Sequence, residues 1–74
     1  MTPAERKTML RRELDRALDE AAIAAIEFRE RSAEVPPAPN RRMLRKIARA
    51  ASELYLKVGL VSGFAALLER EGKA

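Results

Sequence analysis

The chain has 74 residues with a net charge of +4; 47% of its residues are apolar and 35% charged, and it contains neither Cys nor His. That excludes disulfides and the usual zinc and iron ligand sets. It also leaves a single domain short enough that oligomerisation is the remaining route to added stability. With three aromatic residues and an abundance of Ala, Leu, Arg and Glu, the composition points to an all-α fold.

The first element starts sharply. Thr2 suits an N-cap, Pro3 the first helical position, and Glu5 completes a Thr-x-x-Glu capping box. Helix 1 is predicted over about residues 3–32, a rod on the order of 40 Å long. Leu10, Leu14, Ala17, Ala21, Ala24 and Phe28 repeat at alternating spacings of four and three and form its seam, widened by Leu18 and Ala25. Arg12, Asp15, Arg16, Asp19 and Glu20 make a solvated face of mixed sign. Ile23 and Ile26 point away from the seam, so this part of the helix reads as apolar nearly all round and buried on more than one side.

Pro36, Pro37 and Pro39 end helix 1, and the turn over residues 35–40 is short enough to make the two helices antiparallel neighbours. Asn40 is the expected N-cap of helix 2, placed at about residues 41–71. Its seam is read as Leu44, Ile47, Ala51, Leu54, Val58, Val61, Ala65 and Leu68. Arg41, Arg42, Arg45, Lys46 and Arg49 crowd its first turns without an acid among them. On this seam, Arg42, Lys46 and Arg49 lie opposite the core with Arg45 beside them, forming a positive face for an anionic partner such as nucleic acid. Cations at a helix N-terminus oppose the helix dipole, by about 0.3–1 kcal/mol each.

From Leu54 to Leu68 there is one charge, Lys57. Leu56, Leu60 and Leu67 add a second apolar stripe containing Gly59 and Gly63, each costing about 1 kcal/mol relative to Ala inside a helix. The spacing fits close approach of another helix. The alternative is a break near Gly59, with Ser62 capping a short third helix. The favoured expectation is one continuous helix, closed by Arg70 and Gly72. The apolar run follows a basic segment, as in a membrane anchor, but at fifteen residues it falls short of the ~20 a span needs. Interfacial association is the stronger membrane reading.

No residue set supports catalysis, a cofactor or a metal site: no His or Cys is present, no glycine-rich phosphate loop, and the acids alternate with arginines on helix surfaces. The charged N-terminus has no apolar run behind it, so a cytoplasmic location is expected. The expected architecture is an antiparallel two-helix hairpin that completes a four-helix bundle by dimerising or by docking on another helical protein. Its expected core is Leu14, Leu18, Ala21, Phe28, Leu44, Ile47, Leu54, Val58, Val61 and Leu68. The further interface is expected at Ile23, Ile26, Leu56, Gly59, Leu60, Gly63 and Leu67. The expected function is that of a non-catalytic adaptor, co-chaperone, inhibitor or assembly subunit.

Met1-Thr2 with Glu5 and the later Glu53-Leu54-Tyr55 resemble the dimeric RNA-binding hairpins that control plasmid copy number. Here the turn is longer and proline-rich, and the basic residues sit mainly on helix 2. The size and the Ala/Leu-rich second helix are similar to the small co-chaperones of type III secretion needle subunits. Both resemblances concern the general plan, and no functional residue is carried over from either.

Overall fold

The computed structural model describes residues 1–73, with side chains to residue 72. Two α-helices, α1 (Pro3–Ala33) and α2 (Arg41–Lys73), pack against each other as an antiparallel hairpin with principal extents of 55 × 16 × 15 Å.

Both N-termini are capped as their sequences require. The Glu5 amide donates to Thr2 Oγ1 at 3.1 Å, and the Thr2 hydroxyl donates in turn to Glu5 Oε1 at 3.1 Å. The Glu5 carboxylate thus meets the hydroxyl of the cap rather than its backbone N–H, a variant of the capping box. At α2, the Met43 amide donates to Asn40 Oδ1 at 2.9 Å. Helix α1 ends where Glu34 and Val35 donate to the carbonyls of Arg31 and Ser32. Val35, Pro36 and Pro39 are then half-buried in the turn.

Helix α2 runs unbroken through Gly59 and Gly63, so no third helix forms. All three glycines keep negative φ, and a Cβ on Gly59 or Gly63 would meet nothing within 4 Å. Within the hairpin, close packing is therefore not what these glycines serve.

The α1 seam is as its spacing predicts: Leu10 and Ala17 are buried, and Leu14, Ala21, Ala24 and Phe28 are half-buried. The α2 seam is displaced. Ile47, Leu54, Val61 and Leu68 face α1, but the alternating members are Met43, Ala50, Lys57, Phe64 and Glu71, each one residue before the expected stripe. Leu44 and Val58 are 52% and 51% exposed, and Leu18 is 46% exposed on α1, so these three stand outside the hairpin core. The apolar period offers two adjacent stripes and does not choose between them. The one used places the larger Met43 and Phe64 inward and brings Lys57 to Glu20, with Nζ and Oε2 3.0 Å apart. Arg6 and Glu71 pair at 3.3 Å near the chain ends. From Arg6 to Glu20 is fourteen residues forward and from Glu71 to Lys57 fourteen back, so both pairs report one antiparallel register.

The result is thinly packed. Among the described residues only Leu10, Ala17 and Ala50 are buried. The hairpin exposes 6103 Å², against about 4,600 Å² for a compact protein of its mass.

Candidate interaction surfaces

A two-helix hairpin has two long flanks, and here they differ in chemistry. Glu13, Glu20 and Glu27 precede Leu14, Ala21 and Phe28 on α1, and Glu34, its C-cap, precedes Val35 and continues the row of carboxylates. Glu13 and Glu20 border one depression with Leu60 and Phe64 of α2, and Glu27 borders another with Lys46, Arg49 and Glu53. These shared depressions fix which α2 residues lie on the acidic flank: Lys46, Glu53, Leu60 and, by the same heptad position, Leu67.

Lys57 bridges the seam to this flank. Its aliphatic stem occupies a core position while its ammonium reaches Glu20, as a long cationic side chain does at an apolar boundary. The hydrogen bond from Lys57, and then its charge, holds the Glu20 carboxyl below the ordinary value of 4.5, with Arg16 adding a smaller pull in the same direction.

The basic cluster is divided by the fold. All five are exposed, but Lys46 and Arg49 line the depression between the helices, and Arg41, Arg42 and Arg45 stand away from it on the first turns of α2. Lys46 and Arg49 share that depression with Arg31, Glu27 and Glu53, so they flank the true seam instead of standing opposite it. Arg31 joins these cations from the far helix, a neighbour that α2's sequence alone does not disclose.

The expected apolar interface divides as well. Gly59, Leu60, Gly63 and Leu67 come together with Phe64 and Ala66 in an apolar trough of about 420 Å³, closed at one end by Arg70. Leu56 is 66% exposed on the back of α2, outside the trough. Ile23 and Ile26, each 58% exposed, lie on the outer side of α1 and line neither the trough nor the groove. Gly59 and Gly63 both line the trough, and a Cβ on either would meet nothing within 4 Å.

The opposite flank was not singled out by periodicity as an interface. It carries Leu18 and Ala25 on α1 and Leu44, Ala51, Val58 and Ala65 on α2. Of these, only Ala51 is even half-buried. Leu44 and Val58 look like core residues until the α2 seam moves by one, and Leu18 borders the α1 seam without entering it.

By length and composition alone, α2 also meets the requirement for crossing a membrane, which the fifteen-residue run from Leu54 to Leu68 taken by itself does not: it contains a window of mean hydropathy 1.4 within Arg41–Gly72, none of that window buried. No group of three or more acids capable of holding a metal ion occurs among the described residues. No family model matches the chain, and no curated protein or solved structure matches it either.

Proposed function

We propose that this chain is a non-catalytic interaction protein, an adaptor, co-chaperone, inhibitor or assembly subunit, that works by packing its helices against those of a partner. One observation carries the reading: the hairpin exposes about 1,500 Å² more than a compact protein of its size, and Leu18, Ile23, Ile26, Leu44, Leu56 and Val58 all stand among its exposed side chains. Isolated apolar side chains on a surface need no explanation, but contiguous ones mark contact sites. The trough around Gly59 and Gly63 suits an apolar helix packed against these two glycines.

The test is site-specific photo-crosslinking in cells carrying the native gene. A photoreactive residue at Ala66, beside the trough, should give a discrete adduct with another protein, abolished by Leu60→Lys. The same residue at Asp19 should give none. Absence of an adduct at Ala66 overturns the reading.

A second reading, nucleic-acid binding, is favoured by the first turns of α2, which contain no acid and hold Arg41, Arg42 and Arg45 exposed. Three phosphate contacts would give a salt slope of about −2.7 in log affinity against log salt for duplex DNA. Arg42→Glu with Arg45→Glu should abolish retention of duplex at low salt; retention that survives removes this reading.

A further inference from the structure

Taking the packing function above as its basis, we infer that the flank carrying Leu18, Ala25, Leu44, Ala51, Val58 and Ala65 is the face on which two copies of this chain join, antiparallel, into a four-helix bundle. A helix in a four-helix bundle needs, besides its two seam positions, one apolar flanking position. On α1 the choice between flanks is decided by charge. One side reads Glu13, Glu20, Glu27, Glu34 and the other Arg11, Leu18, Ala25, Ser32. Stacking two copies through the first would bring eight carboxylates together. Stacking them through the second meets apolar side chains over the middle of the rod.

The sizes of these side chains then select the symmetry. The hairpin register sets Ala25 within one residue of Ala51 and Leu18 within one residue of Val58, a small pair followed by a large pair. A two-fold axis along the helices would place large on large and small on small. A two-fold axis across them, at the level of Ala21 and Leu54, reverses the order. Leu18 then meets Ala25 of the second copy, Val58 meets its Ala51, and Leu44 meets its Ala65. Each bulky side chain faces an alanine, which is the interdigitation a close-packed interface requires. The same axis brings Asp15 of one α1 near Arg29 of the other, opposite charges at the rim. By the scaling of surface with mass, a compact dimer would bury about 4,600 Å² in total, within the range of obligate dimers. The two glycine troughs stay outside this interface, one toward each end of the bundle, so the dimer presents two partner sites.

Light scattering on the purified chain should give twice the protomer mass of 8.3 kDa. Ala25→Leu should clash with Leu18 of the other copy and raise the dimer dissociation constant at least tenfold. Adding Leu18→Ala to the same chain should restore it, because the symmetry places the two substitutions opposite each other. As a measurement that does not require destabilisation, Ala22→Cys, close to the axis, should couple to its own copy through a short thiol crosslinker, while Ile26→Cys should not. A wild-type chain that remains at 8.3 kDa, no rescue by Leu18→Ala, or coupling at Ile26→Cys but not at Ala22→Cys overturns the inference. Loss of the dimer with the Ala66 adduct intact would leave the packing function standing.

Discussion

The two flanks of this hairpin flank the same seam and have opposite character. On one, α1 contributes Glu13, Glu20, Glu27 and Glu34, and α2 answers with Lys46 and Arg49 near the turn and an apolar trough toward the other end. On the other, the central stretch is made of Leu18, Ala25, Leu44, Ala51, Val58 and Ala65, with charges kept to its borders. The difference shows how a two-helix unit can be given direction. In the dimer proposed above, the row of like charges on α1 turns that side away from a copy of itself, and the run of alternating sizes receives one.

The contrast can be broken at the seam that both flanks depend on. Leu10→Ala removes one of three buried side chains and should cost about 2–3 kcal/mol. At about 4–8 °C per kcal/mol for a domain of this size, the melting midpoint followed by circular dichroism should fall by on the order of 10–20 °C. The trough offers the opposite sign. Gly59→Ala and Gly63→Ala meet no neighbour in the hairpin, so each should stabilise it by about 1 kcal/mol while weakening any partner helix seated on the trough. A rise in midpoint with loss of the Ala66 adduct would assign the glycines to binding; a fall in midpoint would contradict the open space seen beside them. Asn40→Ala, which removes the N-cap of α2, should cost about 1 kcal/mol.

The smallest effect should come from the Lys57–Glu20 pair, which ties the seam to the acidic flank. Because Glu20 is held below its ordinary value when folded, its contribution is present above the unfolded value near 4.5 and is lost as pH falls through the lower folded value. The stability difference between wild type and Glu20→Gln should therefore be constant near neutrality and shrink in the acid range below 4.5. A difference that grows on acidification would reverse the assignment.

Much of the hairpin was legible from local chemistry. Thr2, Pro3, Glu5, the prolines of the turn and Asn40 each act within a few residues of chain, and the structure places both helix starts where they indicate. The α1 seam was legible because the spacing of Leu10, Leu14, Ala17, Ala21, Ala24 and Phe28 defines one stripe, and the structure puts it inward. On α2 the residues at 43/44, 50/51 and 64/65 are apolar at both positions, so period alone could not separate the stripes. At the remaining pair, 57/58, apolarity favours Val58, but Glu20 on the other helix draws Lys57 to the seam instead. That information is long-range, and a reading of α2 by itself lacks it. The same one-residue shift moved Leu44 and Val58 from the expected core to the free flank and turned Lys46 and Arg49 toward the groove.

The nesting of the two helices about the proline turn has a kinetic side. Pairings grow more distant in sequence with each step away from residues 35–40, so the loop that must be closed is short beside the turn and longest at the Arg6–Glu71 pair. Loop entropy therefore favours closure from the turn outward, in the manner of a zipper, beginning with its most local contacts. On that expectation, the last segment to close and the first to open is the end that holds Glu71 and, just inside it, the trough from Gly59 to Arg70. Amide exchange should be fastest there, and a helix bound in that trough would act as a clasp on the open end of the zipper.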